Sequence, residues 1–155
     1  MKKAAVPQTT ASNHLLLAMR KTLCILRSLK VTYRILIVDD DVDLITLHRW
    51  IFARDGFELS VATNGGDALR LTHEVHPHLV LSDCMMPGMS GLEICRQIRL
   101  QPELAKVPVV ILSASGGKVL RQAAQRAGAT AYWEKPIGPR ELLEKVRKVL
   151  MASSN

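Results

Sequence analysis

From Arg34 onward, short apolar runs alternate with segments of helical spacing. Arg34 to Val38 reads as a buried strand that stops at Asp39-Asp40-Asp41. Val42 to Arg54 has helical spacing, and Asp55-Gly56 ends it. Glu58 to Ala62 is a second strand, followed by a helix from Gly66 to His76 with Ala68, Leu69 and Leu71 turned inward. His78 to Ser82 is a third strand, which again stops at an acid, Asp83. Met86 to Gly91 carries loop chemistry, and Leu92 to Leu100 is a third helix. Val107 to Leu112 is a fourth strand, ending at Ser113, and Lys118 to Ala127 is a helix closed by Gly128. Thr130 to Trp133 is a short fifth strand. Gly138-Pro139 then opens a last helix, with proline at a favourable first position. The inward face of that helix is Leu142, Leu143, Val146, Val149 and Leu150. Five strand–helix units in strict alternation imply an α/β fold, a parallel sheet covered on both faces. Right-handed crossovers make it a doubly wound open sheet.

The chain before Val31 is different. Met1 to Ser12 is polar, and Ser12 or Asn13 can cap a helix that runs to about Lys30. Leu15, Met19, Leu26 and Leu29 mark one side of that helix. The whole formal charge of +7 resides here: residues 1–34 hold seven Lys and Arg and no acid, whereas residues 35–155 hold 14 of each sign. We therefore expect a basic extension over residues 1–32 and a neutral folded domain over 33–152. A basic arm can meet phosphates, nucleic acid or an anionic membrane surface, or stay solvated. Apolar residues at 48% argue against wholesale disorder, and 155 residues suit one domain. No run of about 20 apolar residues spans a bilayer, and none is long enough for a cleavable signal peptide. Cys24, Cys84 and Cys95 are an odd number at no metal-like spacing, so reduced thiols in a cytoplasmic protein are expected.

In an open α/β sheet the ligand site lies beyond the carboxyl ends of the strands. The residues at those ends are Asp39 and Asp40, Asp83, Ser113 and Lys135. Close carboxylates repel unless a cation is present. Hard oxygen ligands with open positions suit Mg²⁺, which favours phosphate partners. Lys135 adds a positive charge for a phosphoryl oxygen, and Ser113 adds a hydroxyl. Such a set fits phosphoryl transfer.

With these residues in place the chain resembles the receiver domain of two-component response regulators, from about Tyr33 to Leu150. The resemblance lies in Ile35-Leu36-Ile37-Val38-Asp39-Asp40, the run Leu81 to Gly91 around Ser82-Asp83, Ile111-Leu112-Ser113-Ala114, and Gly128 to Pro136 with Glu134-Lys135-Pro136. The resemblance implies a flavodoxin-like sheet of order 2-1-3-4-5. It implies that Asp83 takes a phosphoryl group from a histidine kinase or histidine phosphotransfer protein. By the same resemblance Mg²⁺ is held by Asp40, Asp83 and the backbone carbonyl of Met85, with Asp39 acting through water. Lys135 pairs with the modified carboxylate and precedes a cis proline bond. Ser113 and Tyr132 form a switch pair. Ser at 113 stands for the commoner Thr, and Ala131 stands where many transcriptional members have an acid.

Simpler readings apply to several neighbours. Asp41 is a helix cap and Asp43 a first-turn charge. His48, His73, His76 and His78 lack catalytic or metal partners in sequence and read as surface or packing residues. Met85, Met86 and Met89 are loop filler or partner contacts. Two functions remain. One is a non-enzymatic single-domain regulator, resembling chemotaxis regulators. It would have no DNA-binding domain, and its output would be a partner protein, or a second copy, at the face between the fourth and fifth helices. The other is a haloacid-dehalogenase-type Mg²⁺ phosphatase, since Asp39-Asp40-Asp41 also reads as Asp-x-Asp. That family needs an acidic motif after its lysine, and here only Glu141 and Glu144 follow, both on the last helix.

Overall fold

The structure, a computed structural model, describes residues 32–153. The chain divides between Val31 and Thr32. The helix expected before Lys30 lies outside the described residues, as does Cys24.

Among the described residues ten elements alternate without exception. They are β1 (Arg34–Val38), α1 (Val42–Arg54), β2 (Glu58–Ala62), α2 (Gly65–Val75), β3 (Leu79–Asp83), α3 (Gly91–Arg99), β4 (Val109–Ser113), α4 (Lys118–Arg126), β5 (Ala131–Glu134) and α5 (Pro139–Ser153). The strands form one parallel sheet in the order β2-β1-β3-β4-β5. Both the alternation and the order match the expectation from sequence.

The element ends differ by a residue or two, each for a local reason. The fourth strand starts at Val109 rather than Val107, because Pro108 has no N–H to give the ladder. Its carbonyl still accepts from the Val80 N–H at 2.9 Å. The third strand runs through Asp83 rather than stopping at Ser82, and the fifth runs through Glu134 rather than Trp133. The second helix ends at Val75, since His76 turns left-handed at φ 47° and its N–H returns to the Thr72 carbonyl.

Side chains along the strands alternate between two apolar layers. Leu36, Val38, Val80, Val109, Ile111 and Tyr132 face one layer, with Ile94, Ile98 and Ala124 from the helices α3 and α4. Ile35, Ile37, Leu79, Leu81, Val110 and Leu112 face the other, with Ile45, Phe52, Leu142, Val146 and Leu150 from α1 and α5. Full burial of each large apolar side chain contributes about 1.5–3 kcal/mol. β1, β3 and β4 are covered on both sides, so they read as continuous apolar runs rather than as alternating ones.

Candidate functional site

The carboxyl ends of β1, β3 and β4 carry their acids and hydroxyl because the apolar runs end there. The ladder continues one step past β1, where the Asp39 N–H donates to the Ala62 carbonyl at 3.1 Å. Backbone pairing thus fixes Asp39 beside the end of β2, and its side chain is buried. Its Oδ1 accepts from the Asp41 N–H at 3.0 Å. The register Val38↔Ser82 makes Asp83 the next neighbour across the ladder.

Lys135 joins these two acids. Its N–H donates to the Ser113 carbonyl at 2.7 Å, and a cis peptide bond links it to Pro136. Its Nζ lies 2.6 Å from Asp83 Oδ1 and 3.1 Å from Asp39 Oδ2. The other Asp83 oxygen accepts from the Met85 N–H at 2.7 Å. Burial alone pulls the Lys135 ammonium down. Hydrogen bonds and attraction from Asp83 and Asp39 outweigh it and hold its pKa above the ordinary lysine range. Lys135 is therefore a fixed cation at neutral pH.

Asp40 is exposed, and its carboxylate has no bonded partner among the described residues. Asp41 caps α1, accepting from the Asp43 and Leu44 N–H groups at 3.0 Å each, as its position predicts. Three carboxylates against one ammonium leave two negative charges at this edge, which suits a hard divalent cation. Among the described residues no three acidic, histidine or cysteine side chains close into a ready cage. An open set of carboxylates fits an ion that keeps several waters and takes the rest of its ligands from a phosphoryl group.

Ser113 and Tyr132 meet at a single atom. The Ser113 hydroxyl donates to the Ser115 carbonyl at 3.0 Å and accepts from the Ser115 N–H at 3.2 Å. The Tyr132 hydroxyl, on a buried ring, donates to the same carbonyl. The strand alternation separates these roles. Asp83 and Lys135 fall in the register of the α1–α5 layer, whereas Ser113 and Tyr132 fall in that of the α3–α4 layer.

Two further residues shape the site. Gly91, expected in a loop, is the first residue of α3 and lies against the end of β3. A Cβ there would stand 2.1 Å from the Asp83 carbonyl oxygen and 2.8 Å from Ser82 Oγ. Only glycine lets the helix start so close to this strand end. Backbone contacts of this kind leave no pattern in side-chain periodicity, and Ser115 acts through its carbonyl for the same reason. Of the surface and packing readings open for His48, the structure takes packing. It lines a cavity of about 530 Å³ with Leu44, Leu47, Ile51, Lys135 and Ile137. Its Nδ1 is buried without a partner among the described residues, and its pKa is lowered by burial, against attraction from Asp39 and with help from Lys135. His78 accepts from the Arg34 N–H at 2.9 Å and packs edge-on against Tyr33. Met86 is buried, Met89 packs on Gly65, and Met85 is exposed. Cys84 and Cys95 are free and buried, with thiols pushed up chiefly by burial. No helix among the described residues is long and apolar enough to cross a membrane.

A strand-end acid pair, an acid on β3 and a lysine before a cis proline define a phosphoryl-transfer receiver, and similarity to known proteins agrees. The response regulator receiver domain family matches residues 35–147, and the chain belongs to that family. It is 36% identical over 121 residues to the transcriptional regulatory protein ResD of Bacillus subtilis, a match covering 78% of this chain and 49% of ResD. It is 39% identical over 114 residues to the DNA-binding response regulator MtrA of Mycolicibacterium paratuberculosis, covering 74% of this chain and 49% of MtrA. The chain thus spans about half the length of these curated relatives. Among solved structures it is similar to the chemotaxis protein CheY4 of Vibrio cholerae, with a TM-score of 0.74 and 26% identity, covering 77% of this chain and 99% of that one. It is also similar to a CheY-like receiver domain protein of Methanospirillum hungatei, with a TM-score of 0.73 and 30% identity, covering 79% and 97%. The chain is therefore a signalling receiver of the two-component phosphorelay. The haloacid-dehalogenase alternative falls with this assignment.

Proposed function

We propose that Asp83 is the phosphoacceptor. The observation that carries this is the 2.6 Å contact between Asp83 Oδ1 and the Lys135 ammonium, with Asp39 on the same cation. An Asp83 carboxylate oxygen attacks the phosphorus of a phosphohistidine on a histidine kinase or phosphotransfer protein. The new O–P bond makes an acyl phosphate as the P–N bond breaks, and its electron pair leaves on the donor imidazole. Lys135 stays paired with the modified side chain and offsets its added charge. Asp40, Asp83 and the Met85 carbonyl would hold Mg²⁺, with Asp39 contributing through water. The ion would supply neutralisation of the phosphoryl oxygens. Ser113 then turns its hydroxyl toward the phosphoryl group, and Tyr132 follows as the second half of the switch.

Output in this reading is phosphorylation-dependent binding of a partner protein at the α4–β5–α5 face, without catalysis of its own, in the cytoplasm. We place the receiver at residues 33–152 and treat 1–32 as a basic extension dispensable for labelling. The similarity to CheY4 over nearly all of that chain supports action as a single domain. ResD and MtrA, whose matched segments are 49% of their length, illustrate the other arrangement. The mass of the intact native protein distinguishes the two.

Acetyl phosphate with Mg²⁺ is expected to add one phosphoryl mass to the chain, labile to hydroxylamine, and Asp83→Asn to abolish it. Unchanged labelling of that variant refutes the assignment. Millimolar Mg²⁺ should raise the melting temperature of the wild type, by mass action on the folded state, and leave Asp40→Ala unmoved. An equal rise in both proteins would place the ion elsewhere.

A further inference from the structure

Glu134 ends β5 directly before Lys135, in register with Tyr132 on the α3–α4 side of the sheet. Its Oε1 accepts from Arg121 Nη2 of α4 at 2.7 Å. The same guanidinium lies over the Tyr132 ring, 5.5 Å from its centroid. The other Glu134 oxygen rests on the β4–α4 loop, where a Cβ at Gly116 would stand only 2.8 Å from Oε2. One carboxylate therefore touches both the helix and the loop that carries Ser115. Past the bonded Ser115 the loop is loosely held: Gly117 sits at φ 133°, and α4 starts with no side-chain cap.

We infer that Glu134 is a positioning residue for the switch, holding the β4–α4 loop and Arg121 so that the Ser115 carbonyl meets the Tyr132 hydroxyl. The consequence for signalling rests on the reading of Asp83 as phosphoacceptor. The Ser113 hydroxyl has one proton, and it is spent on the Ser115 carbonyl. To donate to a phosphoryl oxygen it must leave that carbonyl, which then belongs to Tyr132 alone. Phosphorylation and the buried pose of Tyr132 thus favour each other, and a residue that stabilises the pose beforehand favours phosphorylation equally. Glu134 and Arg121 are half-exposed, so the pair shifts this equilibrium by a few-fold rather than by orders of magnitude.

The test uses the full chain with ¹³C-labelled tyrosine. The sequence holds only two tyrosines, and Tyr33→Phe assigns the resonances. Without any phosphodonor, Glu134→Gln should move the Tyr132 ring signal toward the value of a solvent-exposed tyrosine. Gly116→Ala, whose methyl displaces the same carboxylate, should move it in the same direction. The two changes together should move it no further than one alone. The exchange of Arg121→Glu with Glu134→Arg should return it toward wild type. With acetyl phosphate and Mg²⁺, the initial labelling rate of each single variant should fall by up to about five-fold. A Tyr132 signal unmoved in both single variants, additive shifts in the double variant, or an exchange that restores nothing would each overturn the inference. If the wild type takes no phosphoryl group, the Asp83 reading fails instead, and the ring signal of the unmodified chain still decides the role of Glu134.

Discussion

The helices α3 and α4 are each nine residues long and pack on the same side of the sheet, yet they are held very differently. α3 has a Ser90 cap that accepts from the Glu93 N–H, an acid in its first turn, and Gly91, Ile94, Cys95 and Ile98 buried. Arg99 at its end donates to the Gly128 and Val107 carbonyls at 2.8 Å each and ties it to two loops. α4 follows Gly116-Gly117, lacks a side-chain cap, has no acid in its first turn, and fully buries only Ala124. Helix ends carry unsatisfied N–H groups, and each missing cap or first-turn acid lowers the cost of local opening. The contrast teaches where rigidity is needed. The helix that starts on the Asp83 strand end is firmly seated, and the helix that follows Ser113 is held by fewer contacts.

Three substitutions probe this contrast. Gly91→Ala should be the most damaging, because its methyl meets a backbone carbonyl that cannot rotate away. A loss of about 1–3 kcal/mol or more is expected in urea denaturation, with slower labelling at Asp83. A variant within experimental error of wild type would show that α3 is not seated as described. Ser90→Ala removes the cap and should cost about 1 kcal/mol, with amide exchange accelerated in the first turn of α3. The smallest effect is expected from Lys118→Glu, which replaces a cation at the start of α4 by an anion. It should stabilise the helix by about 0.3–1 kcal/mol and slow exchange of its first-turn amides, bringing α4 closer to α3. Exchange that is already as slow in α4 as in α3 for the wild type would remove the contrast itself.

The architecture was largely legible in the sequence. Long buried runs such as Ile35 to Val38 and Val109 to Leu112 leave little choice of element, and strict alternation leaves little choice of topology. The strand-end residues were legible for the same reason. Runs that must stop at polar residues expose Asp39, Asp83, Ser113 and Lys135 to view, and the fold then gathers Asp39 and Asp83 onto the Lys135 ammonium. The backbone's share was not legible. The closeness of Gly91 to Asp83 and the shared Ser115 carbonyl depend on distances between segments far apart or on atoms common to all residues. The sequence pattern ends the fifth strand at Trp133, and nothing in it tells that the Glu134 carboxylate reaches back to Gly116. The burial of His48 was hidden likewise, because an imidazole on a helix beside Leu44 and Leu47 has the same pattern whether it faces water or a cavity.

The division of the strands into two layers bears on how such a domain can diversify. Substitutions among Tyr132, Ala124, Ala129 and the α4 surface can redraw that face of the domain while Asp83 and Lys135 keep their geometry in the other register. Changes around Phe52, Leu142 and Leu150 can alter the α1–α5 layer without repacking Ile94 or Ile98. A lineage carrying this scaffold is thus free to acquire new listeners by mutation in one layer, with its chemistry inherited intact through the other.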